Sequence, residues 1–123
     1  MKTHRSLMTA AEIQTAEGRV REIAEIVIST HAAERMTQKV VTVKEIENCL
    51  RYGLVIEAHD EAGELRLVVR HDYGRPKVGI VVVVGLLSGA IITTWKNAGS
   101  DNHKTLNMLA YDRVKLNIIL GRS

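Results

Sequence analysis

Three observations predict an α+β domain with its helices first and its sheet second. Two segments open with a threonine followed three positions later by a glutamate, Thr9 with Glu12 and Thr42 with Glu45, which is the capping-box pattern of a helix start. After Gly53 the apolar pattern changes from helical spacing to alternating or continuous runs separated by Gly-, Asp- and Pro-containing turns. The 123 residues carry no Pro- or Ser-rich linker, low-complexity tract or repeat, so one domain spans 1–123.

Ile13, Val20, Ile23 and Val27 form one stripe at helical spacing after Thr9, predicting a first helix over Ala10 to Ile28. Ser29 and Thr30 supply hydroxyls for the start of a second, short helix, in which His31 and Arg35 are four apart and share a face. Val43, Ile46, Cys49 and Leu50 give a third helix its apolar side, and Gly53 stops it.

Leu54 to His59 and Glu64 to His71 read as two antiparallel strands joined by a turn at Asp60–Gly63, with Arg66 and Arg70 projecting from one face as a cationic patch. Asp72–Pro76 is a second turn. The β-branched run from Val78 to Leu87 suits a central strand covered on both faces. Ser88 and Gly89 turn the chain back into Ala90 to Lys96, with Thr94 and Lys96 on one face and Thr93 and Trp95 on the other. The result is a four-stranded antiparallel β-meander under two or three N-terminal helices. A loop over Asn97 to Asn102 follows, and the apolar residues of Thr105 to Leu120 allow a terminal helix that Asn107 and Asn117 weaken.

Composition narrows the function. With no Phe, one Trp and three Tyr, the chain lacks the aromatic platforms of an RNA-recognition-motif type sheet. Its 17 Lys and Arg against 14 Asp and Glu give a net charge of +3, which permits a polyanionic partner without requiring one. A single cysteine, Cys49, forms no internal disulfide, fits a reducing cytoplasm and reads as a small buried hydrophobe. No apolar stretch follows the basic Met1–Arg5, so neither a signal peptide nor a membrane partner is expected.

The glycine-rich phosphate motifs are absent, so no nucleotide cofactor is implied. His4, His31, His59, His71, His103 and Cys49 show no paired metal-ligand spacing, and no serine elbow or marked cysteine nucleophile occurs. Histidines and basic residues on helices and strands remain. Cleaving RNA without a metal takes a group to deprotonate the 2′-hydroxyl, a group to protonate the leaving 5′-oxygen, and cations for the phosphorane charge, and His with Arg covers these roles near neutral pH. His31, Arg35, Arg66 and Arg70 are the candidates.

The segment Ser29-Thr30-His31-Ala32-Ala33-Glu34-Arg35-Met36, followed by Val41-Thr42-Val43-Lys44-Glu45-Ile46, Leu50, Tyr52-Gly53 and Val55-Ile56-Glu57, resembles small bacterial domains that begin S-x-H-A-x-x-R-M. Those domains continue through a V/I-T-x-x-E-I helix into a β-meander, and are similar to RelE and BrnT type toxins of the barnase–EndoU–colicin–RelE ribonuclease class. The resemblance covers Ser29 to Lys96, leaving 1–28 as an N-terminal helix region and 97–123 as an extension. It implies a RelE-like core and metal-independent cleavage of RNA, often by a toxin held by a cognate antitoxin or immunity protein. Carried over, His31 and Arg35 sit on the motif, and Arg70 and Thr94 occupy sheet positions where related toxins keep phosphate-binding and hydroxyl groups. Where members usually carry an arginine after the Met, this chain has Gln38 and Lys39.

Residues and resemblance together lead to the expectation of a cytoplasmic, metal-independent endoribonuclease toxin with His31, Arg35, Arg70 and Thr94 as catalytic residues, the last two by the resemblance. Arg66, Lys96, His103 and Lys104 are the further RNA-phosphate contacts. The alternative is a non-catalytic RNA- or protein-binding domain that keeps the fold. Trp95 reads as structural, His59 and His71 as edge or turn residues, and Arg35 as a possible partner of Glu34 or Glu57. An exposed edge strand is open to pairing with a second copy as a homodimer or to cover by an antitoxin.

Overall fold

A computed structural model describes residues 2–61, 64–72 and 78–98. In chain order the elements are β1 (Lys2–His4), a 3₁₀ turn (Arg5–Leu7), α1 (Ala10–Arg21), β2 (Val27–Ile28), α2 (Thr30–Lys39), α3 (Val43–Tyr52), β3 (Leu54–Glu61), β4 (Glu64–His71), β5 (Val78–Gly85) and β6 (Ala90–Ala98). The fold is α+β. The expected meander, β3 to β6, is present inside a sheet that has six strands among the described residues, in the order β1-β3-β4-β5-β6-β2.

The helix starts follow the sequence. Thr9 and Thr42 each accept from the backbone N–H three residues on, at 3.1 Å, while Glu12 and Glu45 accept in return from the Thr9 and Thr42 backbone at 2.9 and 3.0 Å. Ser29 caps α2 by accepting from the Ala32 N–H at 3.0 Å, and its hydroxyl donates to Ile92 O at 3.3 Å, tying the helix start to β6.

The first helix is shorter than its apolar stripe predicts. It ends at Arg21, and Val27–Ile28 instead add a strand parallel to Ala90–Ile91 of β6. The β-branched run Ile26-Val27-Ile28 suits a strand, and Val27 N–H donates to Gly89 O at 3.0 Å. The Arg21 guanidinium donates to Leu50 O at 2.9 Å and Gly53 O at 2.7 Å, fixing the end of α1 to the end of α3. The basic N-terminus is also a strand: Lys2, Thr3 and His4 pair with His59, Ala58 and Glu57 of β3. Below it a bulge between Val55 and Glu57 interrupts β3, where Glu17 of α1 accepts from Val55 N–H at 2.9 Å and Arg5 donates to both Glu17 and Val55 O.

All three described helices pack on one face of the sheet. The main core joins Ala16, Val20, Ala32, Ile46, Cys49 and Leu50 of the helices to Val55, Ala58, Leu67, Val69, Ile80, Val82, Val84 and Ile91 of the strands. The other face carries a smaller cluster of Val68, Val81 and Val83 with Ile92 and Trp95, so β5 is buried on both sides as its composition predicts. Cys49 is fully buried, and desolvation pushes its thiol up to about 12. No described helix is long and apolar enough to cross a membrane.

Candidate functional site

β2 pairs with β6 only at Ala90 and Ile91, so the strand continues past its short neighbour with α2 packed beside it. A cleft of about 450 Å³ opens there, lined by His31, Arg35 and Lys39 of α2 and by Thr93, Thr94, Trp95 and Lys96 of β6. Because it lies at the strand's margin, β6 contributes residues from both of its faces. Four of the sequence candidates, His31, Arg35, Thr94 and Lys96, meet in this cleft.

The helix supplies its three residues by spacing. Positions 31, 35 and 39 fall four apart on one face, while Ala32 and Met36 on the adjoining face pack into the core. His31 and Lys39 are exposed and Arg35 is half-buried. Among the described residues no carboxylate is bonded to Arg35, Lys39 or Lys96, so Arg35 takes neither Glu34 nor Glu57 as a partner. Glu57 instead bonds His59, with 2.8 Å between its Oε2 and the imidazole Nε2. Three cations and an imidazole therefore line one concave surface.

Thr94 is in the cleft wall, but its hydroxyl is committed. The side chain is fully buried and Oγ1 donates to Val81 O on the neighbouring strand at 2.7 Å. This bond satisfies a buried polar group.

Arg66 and Arg70 are elsewhere. Arg66 lies opposite Gly85, Arg70 opposite Val81, and Val68 between them belongs to the cluster on the face away from the helices. The sheet thus stands between both arginines and His31, and they do not join it around one phosphate. The expected cationic patch is modified as well. Arg70 is 7% exposed and its Nε donates to Asp72 Oδ1 at 2.8 Å. Gly79 makes room for this pair, since a Cβ there would run into the Asp72 carboxylate and come within 3.1 Å of Arg70 Nε. Close by, His71 has its pKa lowered, mainly by desolvation and also by Arg21, against the opposing pull of Asp72.

His103, Lys104 and the predicted helix over Thr105 to Leu120 lie outside the described residues, as do parts of the turns at Asp60–Gly63 and Asp72–Pro76. Lys39 was not among the candidate site residues, although the four-residue spacing that pairs His31 with Arg35 extends to it. Trp95 has the structural packing expected of it and lines the cleft besides. Among the described residues no group of three His, Cys, Asp or Glu side chains is placed to hold a metal ion.

The model of the family described as Domain of unknown function (DUF4258) matches residues 28–96, more than half of the chain. The chain belongs to the DUF4258 family. The matched segment runs from Ile28 in β2 to Lys96 in β6, so it holds every residue lining the cleft and excludes β1 and α1. No curated protein and no solved structure gave a significant match.

Proposed function

We propose that the α2–β6 cleft binds the phosphate backbone of RNA and that the chain is a metal-independent endoribonuclease of the toxin kind. The observation that carries this reading is the convergence of His31, Arg35, Lys39 and Lys96 on one cleft, with no carboxylate among the described residues bonded to the three cations. Cations that are not internally neutralised are available to a polyanion. The resemblance of Ser29 to Lys96 to RelE and BrnT type toxins supports the same chemistry and implies a cognate antitoxin or immunity protein as partner.

In the proposed step His31 takes the proton of the 2′-hydroxyl, the 2′-oxygen bonds to phosphorus and the bond to the 5′-oxygen breaks. Solvent at the cleft mouth returns a proton to the leaving oxygen. Arg35, Lys39 and Lys96 hold the charge that develops on the phosphoryl oxygens. Arg66, Arg70 and the Thr94 hydroxyl take no part. The products are a 2′,3′-cyclic phosphate and a 5′-hydroxyl end.

The test is incubation of the protein with total bacterial RNA and a tRNA pool in EDTA, beside His31→Ala. Discrete fragments with cyclic-phosphate ends are expected, slowed in the variant by about 10²- to 10⁴-fold, the usual contribution of a general acid or base. Because His31 is exposed, the variant keeps its fold. Equal cleavage by both proteins overturns the assignment. One observation favours a second reading as a non-catalytic RNA- or protein-binding domain. Two proton transfers are needed, and His31 is the one histidine among the described cleft residues. Intact RNA with salt-sensitive binding selects an RNA-binding domain, whereas intact RNA and no RNA binding selects a protein-binding one.

A further inference from the structure

We infer that the cleft takes single-stranded RNA lengthwise, with Arg35 and Lys39 on neighbouring phosphates along α2 and Lys96 facing them from β6. This rests on the reading of the cleft as a phosphate site and adds the class of substrate and its direction of travel.

Three observations carry it. The first is the row on α2. His31, Arg35 and Lys39 are four residues apart in turn, so successive side chains are about 6 Å apart along the helix axis and the row is about 12 Å long. The row is longer than a single phosphate, and neighbouring phosphates of an extended strand can address its members in turn. The second is size. At about 450 Å³ the cleft falls in the range that encloses a drug-sized ligand, well beyond one phosphate, and it is far too small to admit a duplex, whose recognition uses shape over many base pairs. The third is its composition. Cations line both walls and the half-buried Trp95 lies beside them, which is the combination of charged groove and aromatic side chain that suits single strands.

Trp95 is the one tryptophan in the chain, so its fluorescence reports occupancy of the cleft directly. The experiment titrates the full chain with 2′-O-methyl oligonucleotides of two to six nucleotides, with a 2′-O-methyl duplex and with inorganic phosphate. The 2′-O-methyl group removes the nucleophile, so binding is read apart from cleavage. Affinity should rise as phosphates are added and then level off within the short series, with duplex and inorganic phosphate much weaker. With three cations engaged, log K should fall against log salt with a slope of about −2, an affinity loss of roughly 20-fold between 50 and 200 mM salt. Lys39→Gln and Lys96→Gln should each reduce that slope by about 0.7 and, both residues being exposed, leave the fold intact by circular dichroism.

Equal affinity for inorganic phosphate and the longest oligonucleotide, preference for duplex, or an unchanged slope in both variants overturns the lengthwise mode. His31-dependent cleavage with any of these results leaves the nuclease reading standing and removes this one. Length-dependent binding without cleavage of unmodified RNA does the reverse. No binding of any oligonucleotide by the folded protein overturns both.

Discussion

The basic residues on the two sides of the sheet differ in what they are bonded to. On the face away from the helices Arg70 is almost fully buried and held by Asp72, and Gly79 leaves the space that this pair occupies. In the cleft beside the helices Arg35, Lys39 and Lys96 have no bonded carboxylate among the described residues. Both groups look alike in the sequence, as basic residues on regular elements. A buried, paired guanidinium maintains the fold, while a partly exposed, unpaired one is open to an outside anion.

Arg70 is where the two sides differ most. Arg70→Ala removes a charge-assisted bond and leaves a hole next to Val81, and should lower unfolding stability by about 2 kcal/mol in urea titration. Oligonucleotide affinity per folded molecule should not change. If Arg70→Ala instead keeps full stability and weakens RNA binding, the two sides have been assigned the wrong way round.

Within the cleft itself Thr94 is, like Arg70, buried and already bonded. Thr94→Val keeps the shape but deletes the donor to Val81 O, so a cost of about 1 to 2 kcal/mol is expected with cleavage retained once the protein is folded. Loss of cleavage at unchanged stability would return the hydroxyl to the chemistry.

The smallest effect is expected at the end of α2. Val40 follows Lys39 and closes the helix with φ of 55°, a left-handed conformation that a β-branched residue tolerates poorly. It is exposed, so its side chain contributes little packing in return. Val40→Asn should raise stability by about 1 kcal/mol, read as a higher urea midpoint at constant m. A lower midpoint would mean that the valine packs better than its exposure implies.

Much of the fold was legible because its signals are local. The two threonine–glutamate boxes, the Ser29 cap and the Gly53 stop each need only a few neighbouring residues, and each is found where the sequence puts it. β1 and β2 were not legible, since strands of three and two residues are too short to show a period and exist through partners distant in the chain, β3 and β6. The same dependence cut the first helix short, because Val27 fits its stripe and Ile28 ends its predicted range, yet both are recruited by the edge of β6.

For the candidate site, sequence alone determined the α+β class, the helix starts, the shared face of His31 and Arg35, the alternation in β4 that puts Arg66 and Arg70 together, and the division of β6 into Thr94 with Lys96 and Thr93 with Trp95. These follow from the repeat of one helix or one strand. Tertiary structure decided that α2 lies against the margin of β6, that the sheet separates Arg66 and Arg70 from His31, and that Asp72 and Val81 engage Arg70 and Thr94. A residue's face on its own element is set by local periodicity, but which face meets which, and which charge is already neutralised, is set by packing between segments far apart in the chain.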